Sequence, residues 1–103
     1  MLRVLLAFAC LTATGCGPIE YVTTVTLQAS RAVAQAKHAQ AERLAPYEYT
    51  IAVESLHEAR VLAGHSRWQQ SVAFGKTALD YGHKAESLAL DKSLRGQDEK
   101  PRP

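Results

Sequence analysis

The 103-residue chain has two cysteines, Cys10 and Cys16, and none after position 16. Nothing beyond Cys16 can therefore close a disulfide within the chain. Aromatic residues make up 7% of the sequence, too few for a core filled by rings. Glycine and proline are missing from Ile19 to Leu44 and again from Tyr47 to Ala63, so nothing in those windows stops a helix. No apolar run approaches the roughly 18–20 residues that cross a bilayer as a helix. Neither sign of charge dominates. Twelve Lys/Arg face ten Asp/Glu, and the two are interleaved as on a solvated surface. The sequence pI of about 8.7 reflects that small excess, not the clustered basic charge of a nucleic-acid binder.

What is present begins with the first sixteen residues, MLRVLLAFACLTATGC. Arg3 is a positive n-region, Val4 to Leu11 a short apolar h-region, and Ala13-Thr14-Gly15 supplies small residues before Cys16. This resembles the bacterial lipobox, where a cysteine is acylated and becomes the N-terminus after cleavage. Residues 1–15 are then a lipoprotein signal peptide, Cys16 is the lipidation site, and 16–24 is a lipid-anchored segment. The position three before the cysteine, most often Leu in that family, is Ala13 here. An ordinary secretory leader with an incidental cysteine is the competing reading. Two or three acyl chains hold a protein to a bilayer far more firmly than one. Gly17 in place of Asp leans, by resemblance to enteric sorting, toward an outer-membrane lipoprotein facing the periplasm.

The processed chain reads as all-α. Within 19–44, Val22, Val25, Ala29, Ala32, Val33, Ala36 and Leu44 share one face, opposite Arg31, Gln35, His38 and Glu42. The β-branched run from Val22 to Thr26 weakens the beginning, which could be extended or frayed. Pro46 predicts a break and a second helix over 46–63, with Glu48 in its first turn. Tyr49, Ala52, Val53, Leu56, Ala59 and Ala63 form its apolar face, while Ile51 and Leu62 lie nearly opposite and suggest another contact. Gly64 is placed as the left-handed C′ residue, and Ser66 with Gln69 reads as a capping box. A turn this short makes the second and third helices antiparallel.

The third helix, 67–90, carries two stripes. One is Phe74, Ala78, Tyr81, Ala85 and Leu88. The other is Trp68, Val72, Gly75, Leu79, Gly82 and Ala89. Gly75 and Gly82 each cost about 1 kcal/mol in an open helix and are tolerable where another backbone comes close. The helix either packs on both neighbours or leaves a stripe for a partner. The charged end, 91–103, reads as a disordered tail. The expected architecture is thus a helical domain over 25–90: three helices, with an antiparallel hairpin after an Ala-rich first helix.

From Ala45-Pro46-Tyr47-Glu48-Tyr49 through Ala52, Leu56 and Ala59, followed by a Gly-containing turn, Trp68 and an Ala-rich helix, the chain resembles small bacterial lipoproteins of the domain-of-unknown-function family numbered 4398. The resemblance covers roughly residues 25–90. It implies a helical envelope protein with a tetratricopeptide-like hairpin, and no catalytic or ligand residue. A repeat array would need several copies of a 34-residue period, and only one hairpin is present.

No chemistry-bearing motif emerges. His38, His57, His65 and His83 form no His-x-x-x-His pair and read as surface residues, not metal ligands. Ser55, Ser66, Ser71 and Ser87 lack a nucleophile setting. Glu54 and Glu58 are a solvated pair one turn apart. The chain is expected to be no enzyme and to hold no cofactor, metal, nucleic acid or small-molecule substrate. Tyr49, Trp68 and Phe74 are read mainly as core, Tyr47 and Tyr81 as core or surface. Tyr47, Phe74, Tyr81 and Leu88 are the candidate partner-binding residues. The expected function is a membrane-anchored helical interaction or scaffold module with an envelope protein as partner. A self-associating spacer between outer membrane and cell wall is the alternative, and a ligand- or metal-binding module comes third.

Overall fold

The computed structural model describes residues 2–4, 19 and 21–98; the cleavage site and Cys16 lie outside the described residues. The fold is all-α. A π-wound segment, Val22–Ala29, runs directly into α1 (Ser30–His38), and together they form an N-terminal arm. A one-turn helix, α2 (Ala41–Leu44), leads to α3 (Pro46–Gly64) and α4 (Trp68–Asp98). The last two make the antiparallel hairpin, and the arm lies against α4 and, less extensively, α3.

The weak beginning of the first helix is helical after all, but not α-wound. β-branched side chains crowd the preceding turn of an α-helix. Here the backbone widens to five-residue bonding: the Ser30 N–H reaches back to the Val25 carbonyl. That carbonyl also accepts from Ser30 Oγ at 3.1 Å. The change of winding moves Val22 off the apolar face, leaving it exposed, while Val25 and Ala29 stay buried.

The single helix expected over 19–44 is broken where no glycine or proline marks a break. Gln40 adopts a left-handed conformation, φ 62°. Its N–H bonds the Lys37 carbonyl at 3.0 Å, and its Oε1 accepts from Arg43 Nη2 at 2.7 Å. The bend places Ala36, Ala41 and Ala45 in one cluster with Ala85 and Ala89. Pro46 begins α3 as expected, in the first turn, where its missing N–H costs nothing.

At the other end of α3 the expected roles change hands. Gly64 stays within the helix, and Ser66 is the left-handed residue, φ 59°. The Arg67 N–H bonds the Leu62 carbonyl at 2.9 Å and the Ser66 N–H the Ala63 carbonyl at 3.0 Å. Those two bonds are a Schellman motif, so Ser66 ends one helix instead of capping the next. The first α4 carbonyl acceptor comes from Arg67, bonded by the Ser71 N–H.

The helix read as ending at Leu90 continues to Asp98, giving α4 31 residues and a length of about 46 Å. Residues 91–98 of the charged stretch are helical where a disordered tail is expected. Arg95 pairs with Asp91 at 3.3 Å one turn away, and Lys92 Nζ donates to the Leu44 carbonyl at 2.6 Å. Residues 99–103 lie outside the described residues.

Among the described residues, ten of the thirteen buried hydrophobic ones are alanine; the others are Val25, Leu56 and Val72. A buried methyl contributes only about 0.8 kcal/mol, against 1.5–3 for a full aliphatic side chain. Small side chains instead let the backbones close in. A Cβ on Gly82 would stand 2.9 Å from the Ala32 Cβ and 3.0 Å from its carbonyl carbon. One on Gly75 would meet Val25 Cγ2 at 2.5 Å. The glycines therefore sit where the arm crosses α4. Inside the hairpin, the fully buried Ser71 donates from Oγ to the Ala59 carbonyl at 2.5 Å and fixes the register of α3 against α4.

Candidate functional site

The third-helix stripe divides by size. Ala78 and Ala85 are fully buried, whereas Phe74 and Leu88 are 41% and 37% exposed and Tyr81 is half-buried. Alanines at the hairpin seam draw the helices too close together to admit a ring, so the large members of the stripe turn toward water. Phe74 was expected mainly as core; it lies instead against Ile51, Glu54, Ser55 and Glu58 in a shallow surface groove. Tyr49 and Trp68 are nearer to expectation. Tyr49 packs on the Ala36–Ala89 cluster, and Trp68 stacks obliquely on Tyr21, ring centroids 5.3 Å apart at 59°.

Phe74, Tyr81 and Leu88 repeat every seven residues, so they follow one side of α4 over about 21 Å. Tyr47, 68% exposed, lies one turn before Ile51 on the side of α3 that lines the groove. The Ala59–Ser71 bond sets the antiparallel register, which brings Tyr47 to the level of α4 occupied by Tyr81. All four candidate partner residues therefore belong to the outer face of the hairpin, away from the arm. Lys84 Nζ sits 4.9 Å from the centroid of the Tyr81 ring and covers one of its faces.

In the sequence Glu54 and Glu58, the acidic rim, are no more than a solvated pair, and Ile51 only a possible second contact. Ile51, standing opposite the apolar face of its own helix, was the available signal. Neither glutamate forms an ion pair among the described residues.

His38, His57, His65 and His83 are exposed and scattered over the arm, α3, the turn and α4. Among the described residues no group of three His, Cys, Asp or Glu is placed to hold a metal ion. Ser55 is buried on α3 and lines the groove, and the Ser71 hydroxyl is committed to Ala59. No helix among the described residues is long and apolar enough to cross a membrane.

A scan against protein-family models finds no match to the chain, and searches of curated proteins and of solved structures find none either.

Proposed function

We propose that this protein is a lipid-anchored helical docking module of a bacterial cell envelope, tethered through acyl chains on Cys16 and binding another envelope protein with the outer face of its hairpin. The observation that carries the docking half is the size division on α4: alanines and glycines face inward, while Phe74 and Leu88, with Tyr47 across the groove, are left at the surface and Tyr81 between them is half-buried. A stripe of large apolar residues on the open side of a well-packed hairpin is the usual composition of a protein interface. The leader carries the anchoring half, through its likeness to the lipobox at Ala13-Thr14-Gly15-Cys16. Orientation toward the periplasm from the outer membrane, and kinship with the small lipoproteins the chain resembles, belong to the same proposal.

Metabolic labelling with an alkynyl palmitate tests the anchor. The wild-type chain should take up label and sediment with membranes, and Cys16→Ser should do neither. Equal labelling of both would overturn the anchor. Affinity isolation from detergent extracts tests the docking face: a partner retained by wild type should be lost with Phe74→Ala/Tyr81→Ala and kept with His38→Ala on the arm.

A further inference from the structure

From the outer groove we infer the kind of partner: an α-helix of another protein, apolar along one stripe and bearing Lys or Arg on the flank that meets Glu54 and Glu58. The inference rests on the docking reading above and adds the shape and charge of what docks.

The shape follows from spacing. Phe74, Tyr81 and Leu88 recur at about 10.5 Å, the rise of seven helical residues and close to two turns of a facing helix. An extended strand presents its like-facing side chains about every 6.8 Å and falls out of step within two residues of contact. The groove also runs between two antiparallel helices, the position a third helix occupies in a bundle. On the inner face that position is already filled by the arm, admitted by Gly75 and Gly82. The outer groove has no glycine in its lining. A helix there rests on Phe74, Tyr81 and Leu88 at ordinary interhelical distance, with large side chains interlocking.

The charge follows from what surrounds the groove. Glu54 and Glu58 line it, and Glu48 lies one turn before Ile51 on the same helix. Three cations of the hairpin have contacts of their own. Arg60 reaches Ser30 Oγ on the arm side at 3.1 Å, Lys92 reaches the Leu44 carbonyl, and Lys84 covers the Tyr81 ring. A basic flank on the incoming helix would meet uncompensated carboxylates, whereas an acidic one would be repelled. The same repulsion disfavours a symmetric dimer whose two-fold axis passes through Glu54 and Glu58, because it would set those carboxylates against their copies.

The test is photo-crosslinking in cells of the full-length chain carrying benzoylphenylalanine at Tyr81, with the exposed arm residue His38 as the control position, followed by mass-spectrometric mapping of the crosslinked peptide. The expected adduct is a Lys/Arg-bearing helical segment of another protein. Its yield should fall about tenfold in Glu54→Lys/Glu58→Lys, a variant whose helicity circular dichroism should find unchanged because both side chains are exposed. An adduct that persists undiminished in that variant, or maps to an acidic or extended segment, overturns the inference and leaves the docking reading standing. An adduct to a second copy of this chain overturns it too. No adduct at Tyr81, nor with the crosslinker moved to Phe74 or Leu88, overturns both.

Discussion

The two faces of the hairpin are built from the same helices and follow opposite rules. On the inner face α4 offers Gly75 and Gly82, and the arm approaches until the Ala32 backbone fills the space a side chain would need. On the outer face, a third of a turn away, α4 offers Phe74, Tyr81 and Leu88, which the described chain covers only in part. Only the small-residue face is closed by the molecule itself. Closeness supplies its stability, because ten buried methyls give little area per residue but allow dense packing. Large apolar residues contribute more when covered, and here Phe74 and Leu88 remain partly exposed.

Overfilling the closed face should have the largest effect. Gly82→Leu should cost about 3 kcal/mol, the upper end for overpacking, because the obstacle is Ala32 backbone rather than a movable side-chain tip. Thermal unfolding followed at 222 nm should show a fall in Tm of roughly 10 °C or more; an unchanged Tm would mean that the arm does not rest there. Ser71→Ala removes the one buried hydrogen bond between the hairpin helices and should cost about 1 kcal/mol in a urea titration. At the turn, Ser66→Gly should stabilise by about 0.5–1 kcal/mol, since a left-handed residue loses its steric penalty. Gly64→Ala should gain a similar amount, because a Cβ there meets nothing within 4 Å. The smallest effect on stability belongs to the open face. Tyr47→Ser should lie within about 0.5 kcal/mol of wild type in the same titration while abolishing partner recovery. A stability loss as large as that of Ser71→Ala would make Tyr47 a packing residue instead.

Much of this arrangement is legible in the residues, and the exceptions have physical causes. Pro46 announces a break because proline constrains its neighbour wherever it stands. Gly75 and Gly82 announce a close crossing because nothing else justifies glycine at two successive heptad positions of a long helix. Gln40 announces nothing: a left-handed glutamine is imposed by the packing of Ala36, Ala41 and Ala45 on α4, and no local preference marks it. At the turn both Gly64 and Ser66 are available, and the more permissive residue is not the one that takes the left-handed position. The continuation of α4 past Leu90 is hidden by its charge, because composition cannot foresee that Lys92 will find the Leu44 carbonyl across the bundle. Phe74 shows the same limit at the candidate site. Its seven-residue spacing identifies a stripe, but whether a stripe is inside or outside depends on how tightly its alanines pull the helices together.

The contact between Tyr21 and Trp68 gives the molecule a polarity. It joins the start of the arm to the turn end of the hairpin, only five residues downstream of Cys16. Fully stretched, that connection spans about 17 Å. In the proposed tethering at Cys16, the hairpin turn would stay near the headgroups, like the foot of a mast, with Asp98 at the far end of α4. Phe74, Tyr81 and Leu88 become successive rungs at fixed heights along it. A partner helix seated on those rungs would be measured as well as held: a one-heptad slip would change its distance from the foot by about 10 Å.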